Sequence, residues 1–122
     1  MFKLFVSLGS INAMIAVALG AFAAHGLEGR ISPDMLEVFE TGVRYHFYHA
    51  LGLLAVGMIA TQLPDSSLLQ WSGWLMVAGI VIFSGSLYIL STTGIKWLGA
   101  ITPIGGTAFI IAWLLIIIAV LK

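Results

Sequence analysis

Residues 4–24 carry no charged side chain and form a mostly apolar run of about twenty residues. At about 1.5 Å of helical rise per residue, that is enough to cross roughly 30 Å of hydrocarbon. Lys3 before the run and Ala21-Phe22-Ala23-Ala24 at its end imitate a secretory signal. The run is longer than the apolar region of such a signal, which is about 7–15 residues, so a retained membrane span is expected. Composition agrees. Of the 122 residues, 61% are hydrophobic and 8% charged, whereas roughly a quarter are charged in soluble domains. So few charges cannot cover a water-soluble globule, and the length allows one domain, 1–122.

Three further spans follow, giving an all-α, integral membrane four-helix bundle with spans at about 4–24, 45–62, 71–90 and 100–121. Ser32-Pro33-Asp34 is a helix start, with serine as N-cap, proline in the first turn and an acid near the positive dipole end. The next strong stop is Leu63-Pro64-Asp65. A helix filling that interval is about 45 Å long, more than the bilayer core, so a polar amphipathic segment extends the second helix at its N-terminus. Trp71 and Trp74 open the third span and Tyr88 falls near its far end, in the manner of aromatic belts. The fourth span begins either near Leu98 with a kink at Pro103, or at a Thr102 cap with Pro103 at the first helical position. Four spans place both termini on one side. The positive-inside balance is nearly even, with Lys3 and Lys122 against Arg30, Arg44 and Lys96, and gives no orientation.

The ionisable side chains cluster around 37–49. On a helical wheel Glu37, Glu40, Thr41, Arg44 and Tyr48 share one face, and Glu40 precedes Arg44 by four residues, the favourable order for an ion pair. The ordinary reading is a solvated face with Arg44 snorkelling to headgroups. The sharper one is a charge pair closing one mouth of the bundle, with His25 from the adjacent turn. Tyr45 and His49 are also four apart, on the flank of that face. His49, about one turn into the span, is expected as interhelical hydrogen-bond glue to Tyr45, a carbonyl, Ser84 or Ser86. His25, Glu37, Glu40, Arg44, Tyr45 and His49 therefore make the candidate ligand-binding or structural polar cluster. Asn12, Ala16, Gly20, Ser84, Gly85, Ser86, Pro103, Gly105 and Gly106 are the candidate helix-packing residues, because small and hydroxyl side chains let membrane helices approach. With no cysteine there is no thiolate nucleophile or thiolate metal site, and neither a catalytic residue, a metal nor a cofactor is expected. A serine hydrolase needs a base beside Ser84 or Ser86 that nothing in the sequence supplies. Gly105-Gly106 lacks the lysine and preceding strand of a phosphate loop. Zero net charge argues against a nucleic-acid partner.

Gly20-Ala21-Phe22, Ala24-His25-Gly26, Thr41-Gly42 with Tyr45 and His49, Phe83-Ser84-Gly85-Ser86-Leu87-Tyr88 and Thr102-Pro103-Ile104-Gly105-Gly106 occur in that order. The chain resembles, over essentially its whole length, the uncharacterised bacterial membrane family of domain of unknown function 423, to which transmembrane-256-like proteins are similar. Ala23 stands where that pattern has glycine and keeps a small residue. The resemblance implies four helices in the bacterial plasma membrane and no established activity. Three functions are compatible with the residues. The first is a binding or assembly protein, homo-oligomeric or accessory to a membrane-protein partner, in contact with membrane lipids. The second is a carrier or binder of a lipid or hydrophobic small molecule in a cavity near His49, Tyr45 and Arg44. The third is a haem or metal protein in which His25 and His49 face one another.

Overall fold

A computed structural model describes residues 1–122 as an all-helical bundle of four helices: α1 (Phe2–Leu27), α2 (Pro33–Ile59), α3 (Ser67–Thr93) and α4 (Lys96–Leu121). α1, α3 and α4 are each long and apolar enough to cross a membrane. α2 is of similar length but carries Arg44, His46 and His49. The chain is thus an integral membrane bundle whose most polar helix is also a central one: α2 packs on both α1 and α3, and α3 in turn packs on α4.

The helix starts follow from local chemistry. Ser32 Oγ accepts from Met35 N (3.2 Å) with Pro33 in the first turn, and Ser66 Oγ accepts from Leu69 N (3.2 Å) ahead of α3. Each serine satisfies one of the backbone donors that a helix start leaves open. α3 stops at Gly94, whose φ of 74° is the left-handed conformation that glycine adopts without strain. α4 begins as a 3₁₀ turn over Lys96–Ala100 and becomes regular at Thr102–Leu121, with Pro103 in its first turn. Pro103 therefore starts the regular helix. Thr102 is not its side-chain cap, since its hydroxyl is 2.6 Å from Ser86 Oγ on α3. α2 ends at Ile59, and Ala60–Gln62 form the turn that follows.

Packing runs along seams with a seven-residue period. On α2 the buried positions Phe39, Gly42, His46, His49, Leu53 and Val56, with Ala60 just past its end, alternate in steps of three and four. That spacing keeps one stripe facing its neighbours, as in coiled coils. On α1, Phe5, Gly9, Asn12, Ala16, Leu19 and Ala23 do the same, all buried or half-buried. The α1 and α2 backbones touch where glycine allows it. A Cβ on Gly9 would lie 2.7 Å from Ala50 O and 2.9 Å from Leu54 N. Gly20 lies against Val43, so the two helices run antiparallel. The main core joins Phe5, Leu53, Val56, Leu69, Met76, Ile80 and Phe109 from all four helices. A smaller cluster of Ala23, Leu27 and Phe39 closes the end of the bundle that bears the 28–32 turn. α2 continues straight through its charged first turns and packs there beside the last turns of α1, where Phe22 and Phe39 meet edge to face (6.3 Å). The polar extension of α2 is thus part of the bundle.

Candidate functional site

Two histidines, one turn apart on the α2 seam, define the polar interior. His46 is buried, with Nδ1 2.8 Å from the Tyr88 hydroxyl of α3 and Nε2 2.9 Å from Asn12 Oδ1 of α1. Asn12 Nδ2 donates to Leu8 O (2.8 Å), which fixes the amide with its oxygen towards the ring. Oδ1 can only accept, so His46 donates from Nε2, and Nδ1 accepts from Tyr88. A directed chain Tyr88→His46→Asn12→Leu8 thus crosses three helices.

His49 forms the second node. Its Nδ1 lies 2.8 Å from Tyr45 O, a carbonyl that can only accept, so Nδ1 carries the proton. Trp113 Nε1 of α4 donates to the remaining nitrogen, Nε2, at 3.0 Å. The ring stacks flat on Phe109, with centroids 3.5 Å apart and planes 8° from parallel. Both nitrogens are committed, in the tautomer opposite to that of His46. Trp113→Phe should therefore leave Nε2 without a donor while keeping the apolar contact. We expect a loss of about 1 kcal/mol, the usual worth of one such bond between membrane helices, read by thermal melting in mild detergent. An unchanged midpoint would mean that this bond is not formed.

The serines complete the interhelical bonding. Ser84 Oγ donates to Gly42 O of α2 (2.7 Å) and Ser72 Oγ to Ala112 O of α4 (2.7 Å), while Ser86 Oγ donates to Phe83 O within α3 (2.9 Å) and meets Thr102 Oγ1 of α4 (2.6 Å). No buried side-chain nitrogen or oxygen lacks a partner. Ser84 and Ser86 make no hydrogen bond to His49, so no serine–histidine pair forms. Ser84 lies at the end of a π-helical turn, Ile80–Ser84, beyond which Ser84, Leu87 and Ser91 carry the buried stripe on towards α2.

The other expected residues fall as follows. Ala16 is buried, and Gly105 lies so close to the Phe83 backbone that a Cβ would collide with it. Gly106 meets only the Phe83 ring, at 3.8 Å, and Gly85 faces open space. Gly85 is therefore no packing contact, because the π turn directs Ser84 and Ser86 inward instead. Glu37, Glu40, Arg44 and His25 are exposed. Arg44 Nη2 donates to Thr41 Oγ1 (3.0 Å), whose own hydroxyl donates to Glu37 O (2.9 Å), so Arg44 binds Thr41 and the expected Glu40–Arg44 pair is not made. His25 does not meet His49. Gly20 lies level with Val43, which sets His25 beside about residue 38, roughly 16 Å along the helix from His49 at 1.5 Å per residue. Tyr88, expected in an aromatic belt, instead turns into the bundle towards His46. Trp71, Trp74 and Trp97 remain exposed in belt fashion.

The sequence alone assigns no bonding role to His46, Phe109 or Trp113 and places Tyr88 in an aromatic belt. A signal was present: an amide in mid-span at Asn12, and a histidine three residues ahead of His49 at seam spacing. A groove of about 420 Å³ opens beside His49, lined by Tyr45, Phe83, Pro103, Phe109 and Trp113. Arg44 is not part of it. Arg44 borders a separate groove of about 320 Å³ between α1 and α2.

A helical membrane bundle held by buried histidine, amide and hydroxyl bonds is the class these features define. The family Protein of unknown function (DUF423) matches residues 19–106, and the chain belongs to it. It is 59% identical over 120 residues to the UPF0382 membrane protein YwdK of Bacillus subtilis, 98% of each chain being covered. A UPF0382 membrane protein of Staphylococcus epidermidis is 52% identical and one of Staphylococcus aureus 55%, each over 98% of this chain and 97% of its own. No solved structure matches.

Proposed function

We propose that this protein acts by binding and assembly in the bacterial plasma membrane, joining a second copy of itself or another membrane protein through its lipid-facing helix surfaces. One observation carries the reading: the interior is a packed, hydrogen-bonded seam in which every buried polar side chain already has a partner. Polar groups so used fix the arrangement of helices and are not free for chemistry. Helical spans and relatives in Bacillus and Staphylococcus support the plasma membrane as its location. The chain contains no cysteine, so single cysteines placed at exposed Val81 and Ile110 report neighbours directly in native membranes. Disulfide-linked dimers, or a discrete larger adduct with another protein, are expected. Monomer alone at both positions, with uncrosslinked mass by native mass spectrometry, would sink the reading.

A second reading rests on the groove beside His49, whose aromatic walls suit a flat hydrophobic small molecule. Quenching of Trp113 fluorescence by such a compound, absent in Trp113→Phe, is the outcome that would favour it.

A further inference from the structure

We propose that the groove between α1 and α2 holds one phospholipid whose headgroup carries a primary ammonium beyond its phosphate. The walls are Ala16, Val17 and Gly20 of α1 with Val43 and Phe47 of α2, an apolar channel of about 320 Å³ at the low end of ligand-pocket size. Gly20, lacking a side chain, leaves the channel open between the helices. Arg44 and Tyr48 stand along its α2 side. Beyond the groove, towards the helix start, the same exposed face of α2 presents Glu40 and then Glu37.

The order of charges selects the occupant. Passing out of the hydrocarbon along α2, a lipid meets apolar wall, then a guanidinium, then a carboxylate about 6 Å further on, four residues at 1.5 Å each. An aminophospholipid presents the complementary series: acyl chain, phosphate, ammonium. Arg44 donates within the chain only to Thr41, a neutral hydroxyl, so its charge is uncompensated and the rest of its donor fork is free for a phosphate. Thr41 steadies the guanidinium at the groove mouth. A headgroup with phosphate but no cation would bring a second anion against Glu40. A quaternary ammonium has no N–H to give the carboxylate. A primary ammonium answers both.

The test is competition in nanodiscs of equal phosphatidylethanolamine, phosphatidylcholine and phosphatidylglycerol, with the lipids retained on the released protein counted by native mass spectrometry. Phosphatidylethanolamine should be enriched about tenfold over the other two, the ratio one charge-assisted hydrogen bond gives. Arg44→Gln should remove the retained lipid of every class. Glu40→Gln should abolish the preference over phosphatidylglycerol, and the reversed pair Glu40→Arg with Arg44→Glu should lose phosphatidylethanolamine at unchanged net charge. Equal retention of the three lipids by the unsubstituted protein, or undiminished enrichment in Glu40→Gln, would overturn the proposal. The unsubstituted protein decides the first point even where a variant fails to fold. The same spectra report subunit number. Loss of oligomers with lipid enrichment intact therefore defeats the assembly reading alone, and the converse defeats this one alone.

Discussion

His46→Leu is expected to lower the stability of the bundle by about 2–4 kcal/mol, read as the unfolding midpoint in mild detergent. Two hydrogen bonds disappear, and the Tyr88 hydroxyl and Asn12 amide oxygen remain without partners at half-buried positions, at about 1–3 kcal/mol for each group so stranded. The decisive comparison is with Tyr88→Phe. Alone it should cost about 1 kcal/mol, but in the His46→Leu background it should cost almost nothing or restore stability, because it removes the orphaned hydroxyl. Strictly additive losses would show that the three side chains do not act as a chain. His46→Gln, which can still donate and accept, should recover part of the loss.

The adjacent glycines of α4 should respond in opposite directions. At Gly105 any Cβ would run into the Phe83 backbone, which cannot rotate away, so α4 must move off α3. Gly105→Ala should cost about 1–3 kcal/mol as overpacking does, and Gly105→Val should abolish a monodisperse folded species in size-exclusion chromatography. At Gly106 the nearest atoms belong to the Phe83 ring, at ordinary contact distance. Gly106→Ala should therefore be neutral or stabilising by about 0.5–1 kcal/mol through helix propensity. Equal effects at the two positions would mean that α3 and α4 do not touch as described.

The contrast shows which features the sequence exposes. The start of α2 is legible because serine followed by proline marks it at Ser32, whereas the Ser66 cap that opens α3 lies ahead of Trp71, the first aromatic of its span, and is not followed by proline. Glycine and hydroxyl residues were legible as packing residues by type, but type does not separate Gly105 from Gly106 or Gly85. That difference comes from which side of each helix meets its neighbour, and the π turn at Ile80–Ser84 alters the facing by an amount no regular wheel supplies. The charged face of α2 makes Glu40 and Arg44 conspicuous in the sequence, but the seven-residue seam through Phe39, Gly42, His46 and His49 is equally present there. Once that seam is followed, both histidines are interior. Their partners were harder to read: Asn12, Tyr88 and Trp113 lie 34, 42 and 64 residues away in the chain.

Those separations have a consequence for how the protein is made. When α1 and α2 have entered the membrane as a hairpin, Asn12 can engage His46, but the second imidazole nitrogen has nothing to bind until Tyr88 arrives on α3. His49 waits longer, since Trp113 lies in the final helix. The half-made protein thus leaves polar groups without partners where hydrocarbon supplies none, and α3 and α4 each bring the partner of one of them. The two histidines are therefore fully bonded only once all four helices have come together.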